Sequence, residues 1–132
     1  MTATTARVLL VEDDRFLRRA CEASLKQRGF TVVTATDGEE GLRLARETPP
    51  PDVVLLDLLM PKVSGIEVLR ALRADPATAG IPVLILSNSS RDEDKREAVR
   101  LGAAGYYVKA NLSLKDLGTQ IGLLIGTNGA RG

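Results

Sequence analysis

The chain has 132 residues, of which 44% are apolar, enough for one domain with a single hydrophobic core. Its 18 basic and 17 acidic residues leave a net charge of +1, which excludes a general electrostatic attraction to nucleic acid or to an acidic membrane surface. The sequence has no histidine, which excludes histidine-based catalytic triads, imidazole metal sites and a phosphohistidine on this chain.

The sequence also indicates where in the cell the protein is found. No apolar run approaches the roughly 20 residues that cross a bilayer, and residues 1–7 lack the basic start and apolar stretch of a signal peptide. We therefore expect no membrane insertion. The single cysteine, Cys21, cannot form an internal disulfide, and its helical spacing with Leu17 and Leu25 predicts a packed thiol. We expect a cytoplasmic protein.

Short apolar runs alternate with segments of helical periodicity along the chain, which is typical of a doubly wound α/β fold. The predicted strands cover residues 6–12, 31–35, 52–57, 82–87 and 104–108. The third and fourth are apolar on both faces, as expected of parallel strands covered by helices on two sides. With right-handed crossovers, we predict a five-stranded parallel sheet in the order 2-1-3-4-5, a flavodoxin-like (βα)5 arrangement.

Several predicted helices begin with a polar residue followed three positions later by an acidic one, the spacing of a capping box. The pairs are Asp37 and Glu40, Ser64 and Glu67, Ser90 and Glu93, and, in weaker form, Ser113 and Asp116. Gly29 and Gly102 follow the first and fourth helices, where a left-handed C-cap is favoured. We predict one domain over residues 1–126, with residues 127–132 as a flexible tail or the start of a linker.

Four of the predicted strands deliver chemically active side chains at their C-terminal ends. These are Glu12, Asp13 and Asp14 after the first strand, Asp57 at the end of the third, Ser87 at the end of the fourth and Lys109 after the fifth. Open α/β sheets bind ligands beyond these strand ends. Carboxylates, a hydroxyl and an ammonium group gathered there predict a site for a divalent cation and a phosphoryl group. Asp14 is expected to cap the first helix rather than to bind metal.

Over residues 6–125 the chain resembles the receiver domain of bacterial two-component response regulators. The matching motifs are Val11-Glu12-Asp13-Asp14, Leu56-Asp57-Leu58-Leu59-Met60-Pro61, Leu86-Ser87 and Tyr106-Tyr107-Val108-Lys109. The resemblance implies a phospho-accepting signalling domain rather than an enzyme. Its donor would be a sensor histidine kinase or a histidine phosphotransfer protein.

The resemblance also implies a role for each residue at the strand ends. Asp57 corresponds to the phosphorylated aspartate and Asp13 to a direct Mg²⁺ ligand, while Glu12 holds the ion through water. The backbone carbonyl of Leu59 completes the protein's share of the ligands. The oxygen-only donor set independently selects Mg²⁺, with Mn²⁺ as a substitute.

Three further residues correspond to the groups that bind and sense the phosphoryl group. Lys109 matches the lysine that pairs with it, Ser87 the hydroxyl that turns toward it, and Tyr106 the aromatic residue whose rotamer follows that hydroxyl. Each also has a structural interpretation: a surface lysine, a hydroxyl bonded to backbone and an aromatic at the rim. Tyr107 should point to the opposite face of the sheet from Tyr106, because strand side chains alternate.

Phosphorylation would then alter the surface of the fourth helix, fifth strand and fifth helix, which would contact a downstream protein or pair two copies of the chain. We expect no direct nucleic acid binding by this chain, which acts alone or belongs to a longer regulator. One alternative is a phosphorylation-independent interaction module on the same fold. A flavodoxin-like cofactor carrier is disfavoured, because the acidic residues after the first strand would repel a cofactor phosphate.

The chain departs from the family pattern at two positions near the site. Ala110 follows Lys109 where the family usually has a proline, so we expect this loop to differ. Asn88 follows Ser87 where the family prefers alanine or glycine. A larger amide there could hinder or orient an attacking water, which leaves the dephosphorylation rate open.

Overall fold

Strands and helices alternate along the chain in a computed structural model that describes residues 6–60 and 62–129. The strands are β1 (Arg7–Val11), β2 (Thr31–Ala35), β3 (Val53–Asp57), β4 (Val83–Ser87) and β5 (Gly105–Val108). The helices are α1 (Arg15–Gln27), α2 (Gly38–Ala45), α3 (Gly65–Ala74), α4 (Asp92–Arg100) and α5 (Leu114–Gly129), and a short 3₁₀ turn covers Lys109–Asn111. The predicted strands are confirmed to within one residue at each end.

The strands form one parallel sheet in the order β2-β1-β3-β4-β5, which confirms the predicted topology. Every residue of β3 and β4 is buried, as their apolar sequences predict. The register pairs Val11 with Leu56, Asp57 with Leu86, and Ser87 with Val108. The residues at the C-terminal ends of β1, β3, β4 and β5 therefore lie side by side, at the same end of the parallel strands.

Helices cover both faces of the sheet and build two apolar clusters. On one face α2, α3 and α4 contribute Ala45, Leu69 and Ala98, and on the other α1 and α5 contribute Cys21 and Ile121. Cys21 is fully buried, so the predicted packed thiol is confirmed. Burial raises the pKa of this thiol to about 11, with the charge of the nearby Glu12 adding to the effect.

Several helix ends have the predicted caps. The Asp14 carboxylate accepts hydrogen bonds from the N–H groups of residues 16 and 17, which confirms its role as the N-cap of α1. Ser64 and Glu67 form the complete capping box at the start of α3. Gly29 and Gly102 follow α1 and α4 with φ of +95° and +84°, the left-handed conformation expected there.

Two of the predicted capping boxes differ in the structure. Asp37 accepts the N–H of Glu40 as predicted, but the Glu40 carboxylate binds the N–H of Thr36 rather than that of Asp37. The box of Ser90 and Glu93 is wrong, because the N-cap of α4 is residue 91, whose side chain makes no cap hydrogen bond. The hydroxyl of Ser89 instead accepts the N–H of Arg91 in a local turn. Ser90 therefore does not cap the helix.

The last helix continues beyond the end of the predicted domain. α5 runs to Gly129, whereas the sequence placed the domain end at residue 126. Residues 130–132 of the predicted tail lie outside the described residues, so the tail stays a prediction. None of the helices within the described ranges combines the length and the apolar character that crossing a membrane requires.

Two glycines of α5 have different surroundings, which leads to a test of helix stability. A Cβ at Gly118 would lie 2.3 Å from Nε of Arg28, whereas a Cβ at Gly122 would have no atom within 4 Å. Because glycine costs about 1 kcal/mol relative to alanine in a helix interior, Gly122→Ala should raise the free energy of unfolding by about 0.5–1 kcal/mol in urea denaturation. Gly118→Ala, which must displace Arg28, should not give this gain. Equal stabilisation by both substitutions would contradict this account.

Candidate functional site

Three carboxylates lie together beyond the ends of β1 and β3. Glu12, Asp13 and Asp57 each offer an oxygen atom within 4.8 Å of the others. Glu12 and Asp57 are 0% and 1% exposed, whereas Asp13 is exposed. The cluster is therefore buried on the sheet side and open to solvent on the side of Asp13. The structure thus brings together the acidic residues that the sequence placed at two separate strand ends.

Lys109 enters this cluster from the turn that follows β5. Its Nζ lies 3.0 Å from Oε1 of Glu12 and 3.2 Å from Oδ2 of Asp57, and the lysine side chain is only 12% exposed. Burial alone would lower the pKa of Lys109, but the hydrogen bond to Glu12 and the charge of Asp57 hold it above its usual value. Lys109 is therefore an ammonium ion shared by two carboxylates.

The single positive charge of Lys109 does not offset the negative charges of all three carboxylates. Burial, then the neighbouring Asp13 and Glu12 carboxylates, raise the pKa of Asp57 to about 8, and Lys109 offsets this only in part. The other oxygen of Asp57, Oδ1, accepts the N–H of Leu59 at 3.2 Å. A further cation at this position would favour the ionised form of Asp57.

The oxygen atoms of the cluster fit a hard divalent cation. Oε1 of Glu12 and Oδ2 of Asp57 are buried and accept no hydrogen bond, although both lie within ion-pair distance of Lys109. Such unsatisfied anionic oxygens are costly to bury, and metal coordination would satisfy them. Asp13 supplies a third carboxylate from the solvent side. Oxygen-only donors suit Mg²⁺ or Mn²⁺.

Leu59, predicted to offer its backbone carbonyl to the metal, lies at the rim of the cluster. Its N–H binds the Asp57 carboxylate, and its side chain is 62% exposed. The two residues that follow β3 thus form a tight turn over the carboxylate. Ligation by the carbonyl stays a prediction.

Ser87, at the end of β4, is linked to Tyr106 of β5 through one intervening residue, Ser89. Ser87 is fully buried, and its Oγ accepts the N–H of Ser89 at 3.0 Å. The hydroxyl of Tyr106 donates to the carbonyl of Ser89 at 2.8 Å. Tyr106 packs on the face covered by α2, α3 and α4 and Tyr107 on the other face, which confirms their predicted alternation. Ser87 and Tyr106 do not contact each other through a direct hydrogen bond among the described residues.

The sequence did not predict the contacts that two further residues, Ser89 and Arg18, make here. Ser89 joins Ser87 to Tyr106, as described above. Arg18 donates from Nη1 to the carbonyls of Glu12 and Asp13 at 3.0 and 3.3 Å, which holds the loop that carries both carboxylates. Arg18 lies one helical turn after the N-cap Asp14, a spacing that returns its side chain toward the start of the helix. That spacing was the signal available in the sequence.

The departures from the family pattern leave the cluster assembled. Ala110 is exposed and belongs to the 3₁₀ turn, and Lys109 reaches both carboxylates without the usual proline after it. Asn88, which follows Ser87, is exposed. Its influence on dephosphorylation stays a prediction.

Comparison with known proteins agrees with this arrangement. The sequence matches the response regulator receiver domain family over residues 8–121. A gliding motility regulatory protein of Myxococcus xanthus is 40% identical over 120 residues, which cover 90% of this chain and 15% of that protein. PilH of Pseudomonas aeruginosa is 38% identical over 104 residues, 79% of this chain and 85% of PilH. The chain spans about half or less of the length of most of the curated relatives that it matches.

Solved structures show the same fold. The receiver domain of the Francisella response regulator 1452 has a TM-score of 0.86 and 29% identity, with 94% of this chain and 99% of that chain covered. The receiver domain of the sensor histidine kinase PA1611 from Pseudomonas aeruginosa, solved with a magnesium ion in its active-site cleft, has a TM-score of 0.83 and 25% identity, with 93% and 99% covered. This chain therefore belongs to the response regulator receiver domain family of two-component systems, and it is a phospho-accepting signalling module rather than an enzyme.

Proposed function

We propose that Asp57 accepts a phosphoryl group from the phosphohistidine of a sensor histidine kinase or a histidine phosphotransfer protein. One observation carries this proposal: the Asp57 carboxylate is 1% exposed, yet it lies 3.2 Å from the ammonium group of Lys109 and beside two further carboxylates. This combination of a nucleophilic oxygen, a cation and an acidic cluster suits phosphoryl transfer.

The acidic cluster would hold the metal ion. Asp13, Asp57 and the carbonyl of Leu59 would bind Mg²⁺ directly, and Glu12 would hold it through water. Mn²⁺ would substitute, because it accepts the same oxygen donors. When bound, the ion supplies positive charge beside the transferring phosphoryl group.

In the proposed reaction an oxygen of Asp57 forms a bond to phosphorus while the bond between phosphorus and the donor imidazole nitrogen breaks. The electron pair of the broken bond stays on the imidazole, and Asp57 becomes an acyl phosphate. The ionised carboxylate is already a nucleophile, so no general base is needed. Lys109 is placed to pair with a phosphoryl oxygen, which stabilises the negative charge there. The hydroxyl of Ser87, which accepts a hydrogen bond in this structure, retains its proton for donation to the phosphoryl group.

The test is intact-mass measurement after treatment with acetyl phosphate, a small phosphodonor. The wild-type protein should gain one phosphate in the presence of Mg²⁺ and none in EDTA. Asp57→Asn should gain none, because the amide is not a nucleophile. Borohydride reduction of the acyl phosphate followed by peptide mapping should locate it at position 57.

Asp14→Asn is the matched control. Its side chain is exposed and already caps α1, and asparagine caps equally well, so labelling should equal that of the wild type. A phosphate adduct of equal size on Asp57→Asn would contradict the assignment of the acceptor. Absence of Mg²⁺-dependent labelling in the wild type would favour the alternative of a phosphorylation-independent interaction module.

Phosphorylation would change the surface of α4, β5 and α5. An unidentified downstream protein or a second copy of the chain would bind there. We infer no direct nucleic acid contact by this chain, since its net charge is +1. We place the protein in the cytoplasm, which agrees with a cysteine that is buried and unpaired.

A further inference from the structure

Lys62, in the loop between β3 and α3, has a left-handed backbone conformation with a φ of +68°. Among the residues that the structure describes, no other residue apart from glycine has a φ in this region. The Cβ atom makes this conformation costly for lysine, and it persists only where the surrounding structure holds the backbone. Such strained residues are concentrated at functional sites. The contacts of Lys62 therefore bear on the role of this loop.

Two contacts hold the loop against the start of α2. Nζ of Lys62 lies 3.4 Å from Oδ2 of Asp37, the N-cap residue of α2. The other oxygen of Asp37, Oδ1, accepts the N–H of Glu40 at 2.8 Å, so the carboxylate is fixed by the helix that it caps. The carbonyl oxygen of Val63 lies so close to Gly38 that a Cβ there would be 2.4 Å from it. An ion pair and a close backbone contact thus join the loop to an element outside it.

The same loop carries Leu59, the proposed carbonyl ligand of the metal. The N–H of Leu59 donates to the Asp57 carboxylate at 3.2 Å, and the N–H of Gly65 donates to the carbonyl of Leu58 at 2.8 Å. Both ends of the loop are therefore attached to the end of β3. The ion pair of Lys62 holds the part of the loop between these ends.

We propose that Lys62 is a positioning residue, which holds the β3–α3 loop against Asp37 in the conformation that binds the metal ion through the Leu59 carbonyl. The inference rests on the proposed function, in which this carbonyl and the acidic cluster bind Mg²⁺. The ammonium group pairs with Asp37, and its own positive charge would repel a cation. The contribution of Lys62 to metal affinity through the loop is therefore opposite in sign to its direct electrostatic effect.

Titration with Mn²⁺, followed by the electron paramagnetic resonance signal of the free ion, measures metal affinity without phosphate. In Lys62→Met, which keeps a long side chain without the charge, the dissociation constant should rise roughly twofold to fivefold, the range that an exposed ion pair contributes. Loss of a positive charge alone would lower the dissociation constant, because repulsion of the cation would fall. Lys62→Arg keeps the charge and should bind Mn²⁺ like the wild type. A lower or unchanged dissociation constant in Lys62→Met would overturn the proposal.

Asp37→Asn completes a double-mutant cycle, since asparagine still caps α2 but lacks the charge. If Lys62 acts through Asp37, each single variant and the double variant should weaken Mn²⁺ binding to the same extent. Opposite changes in the single variants, with a double variant like the wild type, would show that only the charges matter and would contradict the positioning role. Arg43→Met is the matched control for lost charge and should not weaken binding, because Arg43 pairs with Glu40 and Glu47 rather than with the loop.

Lys62→Gly separates positioning from stability. Glycine adopts the left-handed conformation without the Cβ penalty, so the midpoint of urea denaturation in EDTA should be no lower than that of the wild type. Binding of Mn²⁺ should still weaken as in Lys62→Met, because the ion pair is lost. In metal-free Lys62→Met, the amides of Leu59 and Gly65 should exchange with deuterium roughly twofold to fivefold faster than in the wild type. Weaker binding together with a lower midpoint in Lys62→Gly would indicate a general loss of stability and would refute the proposal.

The outcomes separate this inference from the proposed function. If the wild type gains phosphate but Lys62→Met binds Mn²⁺ as tightly as the wild type, only this inference is wrong. If the wild type binds Mn²⁺ but gains no phosphate from acetyl phosphate, the proposed function is wrong, while the double-mutant cycle still decides the role of Lys62. If the wild type binds no Mn²⁺, the metal site and the role of Lys62 are both wrong.

Discussion

Replacing Asp57 with asparagine should make the metal-free protein more stable, by up to about 5 kcal/mol at pH 8. The carboxylate is almost completely buried, and it lies in one cluster with two other carboxylates and a single ammonium group. Asparagine has nearly the same shape but carries no charge, so the substitution removes repulsion without opening a cavity. The acceptor of the proposed reaction is therefore a residue that the fold retains at a cost.

The size of this effect should depend on pH in a defined direction. In the folded protein the pKa of Asp57 is raised to about 8, first by burial and then by Asp13 and Glu12, whereas in the unfolded chain it stays at about 4. Between these values the folded state binds more protons than the unfolded state. The free energy of unfolding of the wild type therefore falls as the pH rises through this window. The gain in stability from Asp57→Asn should be close to zero at about pH 4 and should reach its full size at about pH 8 and above.

Urea denaturation in EDTA at several pH values measures this difference directly. Asp14→Asn serves as the control, because it removes an exposed carboxylate beside the cluster and should follow the wild type throughout. Addition of Mg²⁺ should stabilise the wild type more than Asp57→Asn, since a ligand that binds only the folded state shifts the equilibrium toward it. A wild type more stable than Asp57→Asn in EDTA at about pH 8 would contradict this view of the cluster.

Gly65→Ala should lower the free energy of unfolding by about 3 kcal/mol, the upper end of the usual cost of overpacking. A Cβ at this position would lie 2.3 Å from the carbonyl oxygen of Asp57 and 2.6 Å from Cα of Leu58. Both contacts are with backbone, so no side chain can move aside to make room. The N–H of Gly65 also donates to the carbonyl of Leu58 at 2.8 Å, which fixes the start of α3 against the end of β3.

Gly80→Ala is the matched control for this substitution. A Cβ at Gly80 would have no atom within 4 Å, so the change should stay within about 0.5 kcal/mol. Thermal and urea unfolding of both variants measure the difference. Because Gly65 touches the backbone of Asp57, Gly65→Ala should also slow labelling by acetyl phosphate in Mg²⁺, whereas Gly80→Ala should label normally. Equal stability of the two variants would contradict this prediction. It would show that the backbone at residues 57 and 58 can shift to accommodate the added Cβ atom.

Much of the fold follows from the sequence because its signals are local. The apolar runs and the crossover rule predict the strands and their order, and parallel pairing then brings Glu12, Asp57 and Lys109 to one edge. The distances between these side chains cannot be predicted in the same way, because they depend on contacts between residues far apart in the chain. The raised pKa of Asp57 likewise arises from burial, and then from the neighbouring Asp13 and Glu12, all of which depend on the folded chain.

The start of α4 was predicted wrongly for a reason that the residues explain. Ser89 and Ser90 are neighbours of the same type, and the spacing from Ser90 to Glu93 fits a capping box. The pattern cannot reveal that Ser89 already has a partner in Asp94, which moves the helix start by one residue. The importance of Gly65 is equally hidden, because a close approach of two backbones leaves no pattern in a single sequence.

The order of the strands gives different freedom of movement to Asp57, the proposed acceptor, and to Tyr106, the residue proposed to respond to phosphorylation. Asp57 ends the middle strand of the sheet, which is hydrogen-bonded to β1 on one side and β4 on the other. Tyr106 belongs to β5, a border strand with a neighbour on one side. In the proposed phosphoryl transfer, a rigid central strand would keep the Asp57 carboxylate aligned with the donor, whereas the outer strand would move more easily. A single layer of β-structure can thus combine accurate chemistry with an adaptable output.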